Sequence, residues 1–414
     1  MLRNSLINFS SALLCLIPFS LLTGPLLPDL FLSLIVIIFV FISIKEKLWN
    51  YYNNKFFIFF CIFYLYILSR SLFSGYQLLS LESSLFYMRF GIFSLAVWFL
   101  INNNTKLIKI FTSFILITFI IALLDGIYQY IYDINIFGIY IPGVTRMTLL
   151  LNDKMILGGY LARLFPLIFA LLIIDFKANK LKILLFSLLI VVTDVLVYAT
   201  GERTALFLFI LATVLLILLL SEFKRLRIIT FILSLIIITV VTIFNAELRE
   251  RNIDHTINQI YSNGEMRLFS LQHQSHYLGA WKMYIDNPIF GVGPKLFRIY
   301  CDEEMYNIDQ YTCSTHPHNT YLQVLAELGT VGFIFILILF SYVCIKSFEK
   351  LKSNIFKTKT NISDYQACLL ICFMLTLWPA FPTQGAFNNW INIIYFLPVG
   401  FYLQSLYNIE IKKD

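Results

Sequence analysis

The chain has 414 residues, of which 59% are hydrophobic and only 13% charged, with a mean hydropathy of +0.79. Soluble globular chains carry roughly 25% charged residues, so this one cannot cover itself with a wetted surface. Its net charge of +7 is not a nucleic-acid signature, because the basic residues form no single patch with stacking aromatics between them.

In chain order, apolar runs bounded by charge or by Pro and Gly clusters predict about twelve membrane-spanning helices. Their approximate limits are 5–22, 26–44, 55–73, 84–101, 107–131, 155–175, 181–200, 203–221, 226–245, 319–345, 364–381 and 386–407. A bilayer span needs about 20 apolar residues. The runs from Ile183 to Val197 and from Ile228 to Phe244 are nearly unbroken. The first run follows Met1-Leu2-Arg3 and leads to no A-x-A-like cleavage site, so it reads as an uncleaved span. The expected fold is an all-α polytopic membrane protein. Spans one to nine occupy 1–245, a long outer loop with short helices occupies 246–318, and spans ten to twelve occupy 319–414.

Basic loops set the orientation. Lys45, Lys47 and Lys55 lie in one connection, Lys106 and Lys109 in another, and Lys177, Lys180 and Lys182 in a third. Lys224, Arg225 and Arg227, the run from Lys346 to Lys359, and Lys412 with Lys413 complete the set. With twelve spans these connections share one side with both termini, and that side is the cytoplasm. The outer side then receives short loops near 23–25, 74–83 and 382–385, a medium loop near 132–154, and the long segment near 246–318. Within that segment, Ser275 to Ile285 has helical spacing that puts Tyr277, Trp281 and Tyr284 on one stripe, suited to the membrane interface. Asp286-Asn287-Pro288 and Gly291-Val292-Gly293-Pro294 are turn signals.

The outer half is poor in Lys but keeps Arg70, Arg89, Arg146, Arg163, Arg203, Arg249, Arg251, Arg267 and Arg298. An arginine at membrane depth costs at least about 2.5 kcal/mol unless it is paired or reaches water. Asp125, Asp194, Glu202 and Glu327 are the available internal acids, and buried ion pairs are one reading of Arg70, Arg89 and Arg163. For Arg203 a ligand is the stronger reading. It follows Ala199-Thr200-Gly201-Glu202 at the outer mouth of an apolar helix, where a guanidinium can fork a phosphate.

All five histidines, His255, His273, His276, His316 and His318, also fall on the outer side. Cys301, Cys313, His316 and His318 offer zinc-ligand chemistry, but C-x11-C-x2-H-x-H fits no common zinc module. An oxidising compartment favours a disulfide between Cys301 and Cys313 instead. Thr315, Pro317 and Asn319 are ordinary helix-start residues, so simple capping is a second reading of this stretch. A third makes His318 a general base, since imidazole titrates near neutral pH and a helix mouth is a sensible place to deprotonate a hydroxyl. Gly291-Val292-Gly293 lacks a third glycine and a preceding strand, so it is no nucleotide fingerprint; it suits a loop whose backbone approaches a ligand.

The run from Asp286 to Pro294 leads to Phe297-Arg298 and Cys301. After it come Cys313-Ser314-Thr315-His316-Pro317-His318-Asn319-Thr320-Tyr321-Leu322-Gln323 and Glu327-Leu328-Gly329. Together they resemble the core of the O-antigen ligase family, and Thr200-Gly201-Glu202-Arg203-Thr204-Ala205 is similar to that family's arginine motif at the start of a transmembrane helix. The resemblance covers roughly 200–210 and 285–332. It implies a GT-C-like glycosyltransferase of the bacterial inner membrane, independent of nucleotide sugars, cofactors and metals. Its donor would be a glycan on undecaprenyl diphosphate and its acceptor a lipid A–core sugar, met on the periplasmic side. On this likeness His318 corresponds to the base and Arg203 to a ligand of the diphosphate. A further loop arginine shares that duty, for which Arg267 and Arg298 are on offer, while His316, Asn319, Gly291 and Gly293 support the site.

Direct displacement at the anomeric carbon fits the residues, since no paired-carboxylate signature, DxD-type motif or P-loop is present. An O-antigen polymerase or a protein–glycan ligase would use the same donor. A transporter or flippase of lipid-linked glycan is a reading of another class, opposed by the gathering of polar residues at one face and the lack of internal repeats.

Overall fold

Backbone groups in hydrocarbon have no water to bond, so apolar runs must satisfy them within helices. The computed structural model describes residues 2–140, 146–151, 154–174, 180–262, 265–266 and 269–407, and each predicted run lies on a helix. The first group is α1 (Leu2–Thr23), α2 (Leu26–Glu46), α3 (Lys55–Leu72), α4 (Gln77–Ser84), α5 (Met88–Asn103), α6 (Leu107–Tyr132), α7 (Leu157–Ile174), α8 (Lys180–Ala199), α9 (Arg203–Leu219) and α10 (Lys224–Phe244). Then come α11 (Ala246–Arg249), a π turn Glu250–Asp254, α12 (His255–Ile260), the two-residue strands β1 (Tyr261–Ser262) and β2 (Glu265–Met266), α13 (Leu271–Asp286) and α14 (Phe297–Tyr300). The chain closes with α15 (Thr320–Phe356), α16 (Asp364–Thr376) and α17 (Asn389–Tyr407). Among the described residues nine stretches are long and apolar enough to cross a membrane, α4 and α5 counting together. The other three predicted runs fall on α9, α16 and α17. The chain is a multi-pass, all-α membrane protein.

The run predicted over 364–381 ends as a helix at Thr376, because Pro379 and Pro382 cannot continue it. The residues from Leu377 to Asn388 therefore form a longer connection than the short loop expected near 382–385. In the bundle, α5 packs along α17, α7 along α16, and α1 along α2. Small residues permit the closest crossings: a Cβ on Gly91 would sit 2.4 Å from the Phe60 ring of α3, and one on Gly400 2.5 Å from Val97 of α5.

One loop cation is not in a loop. Arg227 is read from sequence both with the basic connection Lys224–Arg225 and inside the span 226–245; α10 begins at Lys224 and carries it into the core, where it is 0% exposed. Its guanidinium reaches both carboxylate oxygens of Asp194 on α8, at 2.9 and 3.1 Å. Ser234 donates to the same carboxylate at 2.6 Å, and the Phe165, Phe209 and Phe231 rings surround the cation. The fork geometry and the extra donor satisfy a pair that desolvation would otherwise make costly. Arg89 likewise pairs with Asp29 at 2.7 Å.

Between α10 and α15 the chain builds a small second core. Ala280 and Met283 of α13 pack with Leu296, Phe297, Tyr306 and Ala326. Helix α15 is broken at Gly329, whose φ is +64°. The N–H groups of Val292 and Gly293 donate to the Ala326 and Glu327 carbonyls at 2.9 and 2.8 Å beside this break. A Cβ on Gly291 would lie 2.4 Å from the Glu327 carbonyl carbon, and one on Gly329 2.3 Å from the Ile289 oxygen. Backbone meets backbone here, and only glycine fits with positive φ on both sides. Arg70 closes the junction, donating to the Phe290 and Gly291 carbonyls at 3.0 Å each.

Candidate active site

Helix α13 begins at Ser270, which accepts from the His273 N–H as its cap, and it carries His273 and His276 one turn apart on a single face. That face lies against the stretch leading into α15 and brings four imidazoles together. His318 is 4.2 Å from His316 between ring centroids, 5.3 Å from His276 and 5.5 Å from His273. Local bonds fix three of the rings. His276 Nδ1 meets the Thr312 carbonyl at 3.0 Å, His273 Nδ1 meets Ser270 Oγ at 2.7 Å, and His316 Nε2 meets the Thr383 carbonyl at 3.3 Å. Among the described residues no hydrogen bond holds the ring of His318. Its backbone adopts a left-handed φ of +55°, a position few L side chains take, and its carbonyl accepts from the Thr383 N–H at 2.7 Å.

Burial disfavours charge on these rings, and each neighbouring imidazole adds to the effect. His318 is pushed down to about 3 and His316 to about 4, and His273 is also lowered. His316 and His318 are therefore neutral at physiological pH. A neutral, unanchored imidazole at a helix mouth can accept a proton.

Asn319 caps α15, accepting from the Tyr321 and Leu322 N–H groups at 3.0 and 3.1 Å. Its amide donates to the Pro379 carbonyl at 2.9 Å and the Phe381 carbonyl at 3.4 Å. The 377–388 connection thus grips the histidine stretch through Asn319, His316, His318 and Thr320, whose hydroxyl lies 2.7 Å from that of Thr383. The ring of Phe381 stacks on Phe207 of α9, one turn beyond Arg203. One connection therefore ties the arginine helix to the histidine stretch.

At the mouth of α9, Glu202 sends its carboxylate to the first turn of α7 and accepts from the Gly158 and Gly159 N–H groups at 2.6 and 3.1 Å. Burial raises this carboxyl to about 7, against those two backbone bonds and the charges of Arg146 and Arg163. Arg203 donates through Nη1 to Gln259 of α12. Arg251, from the π turn, lies across Gly201 and donates weakly to its carbonyl at 3.4 Å. The charge of the exposed Arg146 bears on Glu202, Arg203 and Arg251 and also on His273.

The remaining predicted residues divide by position. Arg298 lies on the histidine side, donating to the Thr315 carbonyl at 3.1 Å and bearing on His316. Arg267 lies outside the described residues. Gly291 and Gly293 face the chain itself, at Glu327 and Ser74, so their role is helix junction rather than approach to a ligand. Glu327 accepts from the Lys295 and Phe297 N–H groups at 3.0 and 3.1 Å and anchors α14. Cys301 and Cys313 form a disulfide, which ties α14 to the histidine stretch. Their sulfurs, with Asp302, are the only cysteine, histidine or carboxylate group among the described residues close enough to share a metal. Bonded to each other, they offer no thiolate, and the imidazoles of His316 and His318 do not complete such a set.

Sequence reading places His273, His276, Arg146 and Arg251 on the outer side without assigning them to the site, and does not single out Gln259. The one-turn spacing of His273 and His276 was the available signal for a shared face. Nothing local marks Arg146 or Gln259, whose neighbours lie far away in the chain.

No curated protein matches the chain. Residues 186–337 match the family model described as O-antigen ligase, a stretch that runs from within α8 through the arginine mouth and the histidine cluster into α15. Over this stretch, which encloses the site, the chain is similar to the O-antigen ligase family.

Proposed function

We propose that this protein is an O-antigen ligase: a metal-independent glycosyltransferase that moves a glycan from undecaprenyl diphosphate to a sugar hydroxyl of lipid A–core. On this reading it spans the bacterial inner membrane twelve times in a GT-C-like arrangement. Both termini are cytoplasmic, and the 246–318 segment is periplasmic. The observation that carries the reading is the link from Arg203 to His318 through Phe207, Phe381 and Asn319, which joins an anion-binding mouth to a neutral base.

The acceptor hydroxyl oxygen attacks the anomeric carbon, and the bond from that carbon to the diphosphate oxygen breaks. The electron pair leaves with the diphosphate, and the hydroxyl proton passes to His318. A base as weak as His318 takes its proton late, once departure of the diphosphate has made the carbon electron-poor and the attacking hydroxyl acidic. Cations at the mouth must then stabilise the departing diphosphate, which is the part given to Arg203, with Arg298 and Arg267 as the loop arginines offered for the same duty.

Purified full-length protein supplied with undecaprenyl-diphosphate glycan and lipid A–core tests this. Transfer of glycan to core is expected, and no transfer under any condition overturns the reading. Deletion of the gene separates ligase from polymerase: bare core with stranded lipid-linked polymer marks a ligase, whereas core carrying one repeat marks a polymerase.

A further inference from the structure

The arginine mouth holds more positive charge than the single contact expected of Arg203. Four guanidinium groups, from Arg146, Arg163, Arg203 and Arg251, gather around one acid, Glu202. Glu202 can offset at most one of them, and its oxygens are already engaged with the first turn of α7. Arg163 is turned back onto its own helix, donating to the Gly159 carbonyl at 3.1 Å. Arg251 lies on Gly201 beside Arg203, the charge of Arg146 bears on both, and no ion pair to an acid holds any of the three among the described residues. Neighbouring like charges repel, and partial burial adds to the cost for Arg203 and Arg251, so an arrangement of this kind implies an anion.

Placement of Arg251 is built in. A Cβ on Gly201 would fall 2.1 Å from Arg251 Nε, and Gly201 has a φ of +65°. The guanidinium therefore lies flat on bare backbone beside Arg203. Arg203 meanwhile donates to the amide oxygen of Gln259, a neutral acceptor that a phosphate oxygen can replace. Both Gln259 and Arg251 come from the short stretch of π turn and α12, so one segment supplies both a cation and a temporary partner.

We infer that Arg251 and Arg146 complete, with Arg203, a three-arginine cradle for a diphosphate, with Gln259 holding Arg203 until the diphosphate replaces it. This rests on the transferase reading and extends it. A diphosphate linked at both ends bears one charge on each phosphate; when the bond to the sugar breaks, the electron pair leaves a further charge on the phosphate that carried it. A third arginine thus matches the leaving group better than the substrate, which is the condition for lowering a barrier rather than only binding.

The test uses full-length protein in detergent, with inorganic pyrophosphate as the calorimetric probe and glycan transfer as a separate readout. Arg251→Gln and Arg146→Gln are each expected to weaken pyrophosphate binding about tenfold or more, the effect of removing a charge-assisted bond. In transfer they should lower kcat more than they raise the donor KM. Gly201→Ala, which displaces Arg251 without removing it, should reproduce the Arg251→Gln result. Lys109→Gln, which removes an exposed cation from α6, is expected to change nothing. Unchanged pyrophosphate binding in both arginine variants, or binding weakened equally by Lys109→Gln, overturns the cradle. Wild-type protein that binds pyrophosphate but transfers no glycan overturns the enzyme reading and leaves the cradle standing on its own measurement.

Discussion

The rings of His316 and His318 stand 4.2 Å apart, and only the first is anchored, through Nε2 to the Thr383 carbonyl at 3.3 Å. The two residues flank Pro317, whose fixed φ stiffens the chain between them, and the left-handed backbone at His318 turns its ring toward α13. His316 is thus held in place, while the His318 ring makes no hydrogen bond among the described residues.

Replacing His318 with Ala should therefore remove the proton acceptor and little else. Transfer in the purified assay is expected to fall by about 10²–10⁴-fold, the usual worth of a positioned base. Membrane insertion and detergent extraction should be unchanged. Full activity in this variant would remove His318 as base.

Acid should loosen the site. His316 and His318 have folded values of about 4 and about 3, below the ordinary 6.5. Between those limits the unfolded chain binds protons that the folded cluster refuses. Their contribution is present above pH 6.5 and is lost as pH falls toward 4 and then 3. The apparent Tm in detergent should drop between pH 7 and pH 5, and the double variant His316→Gln/His318→Gln should flatten that slope. An equal slope in both proteins would assign it to other groups.

At the arginine mouth the shape of the cation matters as well as its sign. Arg203→Lys is expected to lose nearly as much transfer as Arg203→Ala, because an ammonium cannot fork two phosphate oxygens. Gln259→Glu should act in the same direction by giving Arg203 an internal carboxylate, raising the donor KM by about tenfold. Near-normal activity in the Lys variant would leave only a point-charge role.

The Cys301–Cys313 disulfide spans 12 positions and fastens α14 to the stretch that presents His316 and His318. For a loop of about 15 residues the unfolded-state constraint is worth about 3 kcal/mol. Cys301→Ser/Cys313→Ser should lower the apparent Tm and reduce transfer, and wild-type protein treated with reductant should follow it. Alkylation located at Cys301 and Cys313 by peptide mapping, without prior reduction, would show that the bond is absent, since the free cysteines elsewhere label regardless.

In the core, Arg227 and Asp194 offer a contrast between breaking a pair and replacing it. Asp194→Leu alone strands a buried cation and should cost about 3–5 kcal/mol. Asp194→Leu with Arg227→Met removes both charges and should recover most of that loss. The measurement is the apparent Tm of the two variants against wild type, and no recovery would mean that Ser234 and the surrounding rings require the charges.

Composition and hydropathy were sufficient to place every long apolar helix, because the solvent acts on each segment separately: a run of apolar residues must be helical in hydrocarbon whatever its neighbours do. The same local logic located the stretches around Arg203 and His318, since a capping Asn319, a Pro317 and a mouth such as Gly201-Glu202-Arg203 are written in adjacent residues. It could not place Arg227, which reads both as a loop cation and as part of a span until Asp194, 33 positions earlier, is brought against it. Nor could it assemble the four imidazoles, which meet only when α13 packs on α15, or the 377–388 connection that joins Phe381 to Phe207 and Asn319. Those contacts are set by burial and charge pairing between distant segments, and only the tertiary structure decides them.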